Sequence, residues 1–176
     1  ARMDHAPGSF VMEHEESDLR VFDGFVHRTF QSIDAKGFVR ALSGLMKAHG
    51  SLEKAMVSGW HFPENPASLE GALISFHHAF IEQQGVENRT RKHVANPAKG
   101  SAAKRLNMWL RWMIRSSKRG VDLGIWKSIS PAVLHIPLDV HTSNVGRKLG
   151  LLNRRANDWK AVLELTASLR AIDSKD

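Results

Sequence analysis

Lys104 and Asp139 are the two side chains whose surroundings favour chemistry. Lys104 follows a turn-rich stretch, Asn96-Pro97-Ala98-Lys99-Gly100, and falls in the first turn of a segment that reads as a basic helix. The positive end of the helix dipole and the adjacent Arg105 both disfavour an ammonium there. That favours the neutral amine a nucleophile requires. Asp139 lies in Ile136-Pro137-Leu138-Asp139-Val140-His141, at or near the start of another helix, where an ionised carboxylate is favoured. It is the only acid between Asp122 and Asp158. Amide N–H groups at such a helix start also bind phosphate, which makes the turn before Lys104 a candidate phosphate grip. Taken singly, the two residues have plainer readings, a surface charge for Lys104 and an N-cap for Asp139.

The elements that must position them read as helices almost throughout. Leu19, Phe22, Phe25, Val26 and Phe30 recur at helical spacing and predict a first helical segment, with Gly24 inside it. Asp34 is placed to cap a second helix that buries Phe38, Val39, Leu42, Leu45 and Met46 and ends at His49-Gly50. Ser51 starts a short third helix to about Val57, and Gly59 to Pro66 is a loop. Ser68 caps a helix with Leu69, Leu73, Phe76 and Phe80 on one stripe, ending near Gly85. Val86 to Gly100 is a basic loop. Ser101 caps a helix from Ala102 to about Ser116, with Ala103, Leu106, Leu110 and Met113 inward. Pro131 begins one helical turn, and a helix from about Asp139 to Leu149 ends at Gly150. Asn157 or Asp158 caps the last helix, with Trp159, Val162, Leu165 and Leu169 on one side. No run alternates convincingly with period two. The expected class is all-α, one domain of two helical lobes around a central cleft, with the candidate residues inside 94–150.

Charge points to the partner. The 34 residues between Glu87 and Asp122 hold ten bases and no acid, and a second acid-free stretch, Val140 to Asn157, adds Arg147, Lys148, Arg154 and Arg155. The remainder has 11 bases against 18 acids, so the net +7 hides a strong segregation. A positive surface of this kind attracts a polyanion, best a nucleic-acid phosphate backbone. Absence of cysteine excludes disulfides, thiolate catalysis and zinc fingers and fits a reducing cytoplasm. No apolar run reaches the roughly 18 residues of a membrane span, and the opening residues do not read as a signal peptide.

Other signals carry less. Ser51-x-x-Lys54 matches a serine-acylase pattern by letters only. The ten histidines include no pair at metal-ligand helical spacing, and His77 and His78 face different sides of a helix. Asp23 and His27, four apart, are expected to pair on one helical face.

Gly100-Ser101-Ala102-Ala103-Lys104-Arg105-Leu106, followed by Ile136-Pro137-Leu138-Asp139-Val140-His141 and Arg147-Lys148-Leu149-Gly150-Leu151, resembles the helix-hairpin-helix DNA glycosylase superfamily. There a Gly-x-Gly-x-Lys hairpin enters a helix and a later Pro-x-Asp-x-His supplies an aspartate. In this chain Ala102 stands at the second glycine and no Leu-Pro-Gly precedes the hairpin. The spacing of 35 from Lys104 to Asp139 looks more like the archaeal 8-oxoguanine DNA glycosylases. A closer resemblance, through Phe22-Asp23-Gly24-Phe25-Val26-His27-Arg28-Thr29-Phe30, Lys104 to Met113 and Trp126-Lys127-Ser128-Ile129-Ser130, is to a bacterial family with a domain of unknown function in the same superfamily. Its members usually extend further at both ends, so an additional N-terminal helical segment and C-terminal tail are expected.

The resemblance implies a base-excision glycosylase/lyase acting on an oxidised purine such as 8-oxoguanine. Lys104 takes the place of the nucleophile and Asp139 that of the aspartate. DNA contacts fall to Asn96, Lys99, Gly100, Ser101, Arg105, His141, Arg147 and Lys148. Met108, Trp109 and Trp112 are candidates for contact with the flipped base, against ordinary core packing. No cofactor is implied beyond a monovalent cation at the hairpin. The implied partner is double-stranded DNA with a damaged base, bound by a monomer at the bacterial nucleoid. The competing reading is a non-catalytic helical module that binds DNA or RNA. A third is an enzyme on another substrate that reuses the fold.

Overall fold

Capping side chains and glycines in the left-handed region decide where the helices start and stop. A computed structural model describes residues 3, 5–60 and 68–175, so much of the expected loop from Gly59 to Pro66 lies outside the described residues. The chain is mostly helical, as its class predicts. It divides into two compact units, one formed by Ala1–Gly59 with Ser75–Val94, the other by Trp60–Ile74 with Ala95–Asp176.

In the first unit, α1 (Pro7–Glu13) precedes a single 3-10 turn, Asp18–Phe22. The apolar spacing from Leu19 to Phe30 predicts a helix, and the structure corrects this. After the 3-10 turn the chain forms a two-strand hairpin, β1 (Val26–His27) and β2 (Phe30–Gln31), in antiparallel register Val26 to Gln31 and His27 to Phe30. Gly24 at φ +70 and Arg28 at φ +55 take backbone conformations that no right-handed helix contains. Four of the five apolar residues are still used: Leu19 and Phe22 are buried beside Val39, with Phe25 and Phe30 against them, while Val26 is exposed. The expected Asp23–His27 pair does not form, because Asp23 instead meets Lys36 at 2.5 Å.

Helix α2 (Ser32–His49) starts earlier than its apolar stripe suggests. Its N-cap is Gln31, not Asp34, which sits at N3 and accepts the Gln31 backbone N–H at 2.9 Å, completing a capping box. Gly50 at φ +81 ends the helix where expected. Ser51 caps α3 (Leu52–Val57) by accepting from Lys54 N, which gives the Ser51-x-x-Lys54 spacing a structural explanation. Asp34 is fully buried, and it ties the basic 3-10 turn Asn88–His93 to α2. The Thr90 hydroxyl donates to Asp34 Oδ1 at 2.8 Å and Arg89 donates to Oδ2 at 3.1 Å.

In the second unit, Ser68 Oγ accepts from Glu70 N at the start of α4 (Glu70–Ile81), a helix whose remainder belongs to the first unit. Helix α5 (Lys104–Ile114) buries Asn107, Leu110 and Ile114. A 3-10 turn, Ser117–Arg119, follows, and the chain beyond it is held by Leu123 N–H to Trp112 O at 2.7 Å and Trp126 N–H to Met113 O at 2.8 Å. The helical turn expected at Pro131 is a 3-10 turn, Pro131–Val133. Helices α6 (Val140–Lys148) and α7 (Trp159–Ile172) complete the unit, each capped by an aspartate, Asp139 and Asp158. Gly146 lets α6 approach α7 closely, since a Cβ there would meet Leu165 Cδ1 at 3.1 Å.

Asp34 generates a stability prediction. Burial on its own raises its pKa. The Gln31 N–H, the Thr90 hydroxyl and the Arg89 charge outweigh burial, so the carboxyl is held below its ordinary 3.8. Asp34→Ala removes this acceptor and strands the buried Thr90 hydroxyl. The expected loss is about 3 kcal/mol of unfolding free energy at pH 7, measured by urea denaturation. A carboxyl with a depressed folded pKa stabilises fully above 3.8 and loses that contribution as pH falls through its lower folded value. The gap between parent and variant should therefore narrow in that acid window, and equal stability at pH 7 would refute the anchoring role.

Candidate active site

The approach to Lys104 is a tight 3-10 turn, Pro97–Lys99, closed by Gly100 at φ +79. Asn96 organises it. Its side-chain oxygen accepts from Ala98 N at 2.9 Å, and its carbonyl accepts from Lys99 N at 3.1 Å and Ser101 N at 3.3 Å. Gly100 N donates to Pro97 O at 2.8 Å. This changes two expectations. Asn96, only 6% exposed, builds the turn from within rather than reaching DNA. The amides from Ala98 to Ser101 already have acceptors inside the turn, so they do not form a phosphate grip. The amides without a carbonyl partner within their own helix are those of the first turn of α5, beginning at Lys104.

The same hydrogen bonds test the expected monovalent cation. The Asn96 carbonyl already accepts two N–H donors, Pro97 O accepts one, and Gly100 O accepts from Trp159 N at 3.0 Å. The Asn96 carbonyl is thus filled, while Pro97 O and Gly100 O each keep one lone pair. These hydrogen bonds hold the hairpin, as does an isolated antiparallel bridge between Ser101 and Asp158.

Ser101 is expected to cap the helix, but the cap position belongs to Ala103, two residues on. Ala103 is buried at φ +47, a left-handed conformation that costs a non-glycine residue free energy. Ser101 Oγ accepts from Ala103 N at 3.3 Å, and Asn107 Nδ2 donates to Ala102 O at 3.2 Å. These contacts over-determine the kink and set Lys104 as the first helical residue.

Asp139 caps α6 by accepting from Thr142 N at 2.9 Å. Its other oxygen, Oδ2, lies 3.2 Å from Lys104 Nζ, with the two side chains 32% and 43% exposed. The structure therefore brings an amine and a carboxylate together at two helix N-termini. The Thr142 N–H first, then the Lys104 contact, push the Asp139 pKa down to about 2. At neutral pH the carboxylate is ionised.

The remaining candidates divide by what they touch. Lys99, Gly100, Arg105, His141 and Lys148 are exposed. Arg147 is committed: its guanidinium donates to the carbonyls of Arg154 and Arg155 and to Asn157 Oδ1, holding the segment before α7. Met108 lies one turn beyond Lys104 on the same helical face and is half-buried. Trp112 is 40% exposed, whereas Trp109 packs edge-on against Trp126 with ring centroids 4.9 Å apart. Trp109 thus serves the core. Sequence reasoning missed Ala103, Asn107 and Thr142. A conformational kink carries no residue signal when alanine occupies it, whereas Thr142, three residues after a cap candidate, was within reach of the capping rule.

Asp139 gives a second prediction. In a 13C titration of the parent protein its carboxyl should titrate near 2, and Lys104→Ala should move that midpoint upward. The Lys104–Asp139 contribution to stability is present above the ordinary 3.8 and is lost as pH falls towards about 2. Asp139→Asn, which keeps a capping acceptor, should lower the melting temperature less than Asp139→Ala. An unshifted midpoint in Lys104→Ala would show that the contact is not made in solution.

Among the described residues no helix is long and apolar enough to cross a membrane, and no group of three His, Cys, Asp or Glu side chains could hold a metal ion. No curated protein and no solved structure matches the chain. Residues 1–176, the whole of it, match the family described as protein of unknown function DUF2400, and the chain belongs to that family.

Proposed function

We propose that this chain is a base-excision DNA glycosylase with lyase activity, of the helix-hairpin-helix superfamily, acting on an oxidised purine such as 8-oxoguanine. The observation that carries the reading is the 3.2 Å contact between Lys104 Nζ and Asp139 Oδ2. It lies at the start of a helix entered from a tight turn, in a stretch with ten bases and no acid between Glu87 and Asp122.

Duplex DNA binds through its phosphates to the exposed Lys99, Arg105 and Lys148, with His141 beside the site, and the damaged nucleotide is extruded. Met108 and Trp112 flank the extruded base. Lys104 gives its ammonium proton to solvent water and, as the neutral amine, attacks the sugar carbon that bears the base. The carbon–nitrogen bond to the base breaks, and its electron pair leaves with the base, which takes up a proton. Asp139 stabilises positive charge developing on the sugar. A carboxyl that protonates only near 2 is a weak base, so its contribution is electrostatic rather than proton storage. Sugar ring opening protonates the ring oxygen and leaves an imine on Lys104. Loss of a proton from the adjacent carbon expels the 3′ phosphate, and water then hydrolyses the imine and restores the amine.

The test is borohydride trapping on duplexes carrying 8-oxoguanine or an abasic site. The parent protein should give a covalent complex and Lys104→Ala none. Asp139→Asn should slow base release by about 100-fold. Lys104→Ala should still bind DNA with an unchanged salt dependence, whereas a binding module would lose about one phosphate contact in that variant. Trapping at the abasic site alone would keep the lyase and discard the oxidised purine. Intact binding with no trapping at either duplex would overturn the lysine mechanism in favour of a binding module.

A further inference from the structure

Beyond the turn Ser117–Arg119 the chain passes the end of α5 with alternating burial, and the alternation is inverted. Asp122, Gly124 and Trp126 are buried, whereas Val121, Leu123 and Ile125 face solvent, each between 58% and 63% exposed. Burial alone would favour the opposite arrangement, with the aliphatic side chains inside and the acid outside.

The inward residues explain the inversion. Asp122 Oδ1 lies 3.4 Å from Arg111 Nε. Trp126 packs edge-on against Trp109. Gly124, at φ +59, comes so close to the end of α5 that a Cβ there would meet Arg115 O at 2.6 Å. The Leu123 and Gly124 amides both donate to Trp112 O, and the Trp126 amide donates to Met113 O. Every second residue is therefore anchored. The three aliphatic side chains are held outward by the packing between them, so their presentation is built in before any partner arrives.

The surroundings indicate what that partner is. Lys118 is exposed beside the three, and no acid precedes Asp122 back to Glu87. The one carboxylate in the segment is the buried one, next to Arg111. The outward surface is thus aliphatic with positive charge at its edge. A duplex matches it, with anionic phosphates outside and stacked bases within. Three side chains are few against the roughly 20 to 30 residues a side of a stable protein–protein interface. Lacking donors and acceptors, they do not read base edges, but aliphatic side chains of this kind part stacked base pairs. Trp112, whose carbonyl holds Leu123, lies about 12 Å along the α5 axis from Lys104. That length corresponds to about four base pairs of duplex.

We propose that Leu123, with Val121 and Ile125 on either side, is a wedge that enters the base stack beside the extruded nucleotide and keeps the gap from closing. Unstacking is part of what extrusion costs, and a side chain that fills the gap offsets it. The inference rests on the proposed DNA reading of the Lys104 site. It does not rest on the lysine chemistry, because the wedge acts before any bond breaks.

The experiment uses a duplex carrying a tetrahydrofuran abasic analogue with 2-aminopurine as its neighbour. The fluorescence of 2-aminopurine rises when the base unstacks, and binding is followed separately by anisotropy. The full chain should raise the fluorescence at saturation by at least about twofold. Leu123→Ser should abolish the rise while changing affinity by less than about threefold, since phosphate contacts dominate binding. Its melting temperature should equal that of the parent, because the position is exposed. Leu123→Met should restore the rise, and Lys104→Ala should keep it. A rise in a parent protein that gives no borohydride trapping would sink the lysine mechanism and leave the wedge standing. Saturated binding without a rise, or a rise that persists in Leu123→Ser, would overturn the wedge whatever the trapping shows. A parent that ignores the duplex, but dimerises or binds phosphatidylserine vesicles through Leu123, would reassign the surface to a second copy or a membrane and overturn the proposal.

Discussion

The Asp139 carboxylate does two things at once. One oxygen accepts from Thr142 N–H and starts α6, and the other reaches Lys104 at the start of α5. Two helix N-termini, each the positive end of a dipole, converge on this one anion. Neither helix can turn far about its axis without breaking the contact. The other local features serve the same end. Gly146 seats α6 against α7, the Ser101–Asp158 bridge fastens the hairpin to the start of α7, and Asn107 holds Ala102 from within α5.

Much of this was legible in the residues, for reasons that differ by element. Helix ends marked by capping side chains or left-handed glycines came through: Gly50, Ser51, Gly150 and Asp158 all sit where local chemistry places them. The pairing of Lys104 with Asp139 was approachable because both residues stand at such ends. The region from Leu19 to Phe30 has the apolar spacing of a helix because a 3-10 turn followed by a short two-stranded hairpin spaces its buried side chains in much the same way. Asp34 suggests a helix start three residues too late because a capping box puts an acid at N3 as readily as at the cap. The hairpin was the least legible part. Its amides satisfy one another through Asn96, and composition says nothing about such closure.

The segregated positive charge is also less available than its count suggests. Arg89 is bound to Asp34, Arg111 lies beside Asp122, Arg147 holds three acceptors and Arg154 pairs with Asp158. These guanidinium groups are spent on shaping the segments that carry the others. The groups left facing solvent include Lys99, Arg105 and Lys148. A basic stretch thus splits into a scaffold and a working surface, and arginine, with its rigid fork, takes most of the scaffold positions.

Ala103 is the quiet member of the motif, with no charge, no functional group and a left-handed backbone directly before the amine. Branching at Cβ would make that conformation harder still to hold, so valine, isoleucine and threonine are disfavoured there, while glycine enters freely and burial weighs against a larger polar residue. A position that looks like a spacer in a sequence pattern is therefore a filter. Relatives that keep this geometry should draw the residue before their lysine from a very short alphabet, and a bulky β-branched residue in that place would mark a chain whose loop has been rebuilt and whose lysine points elsewhere.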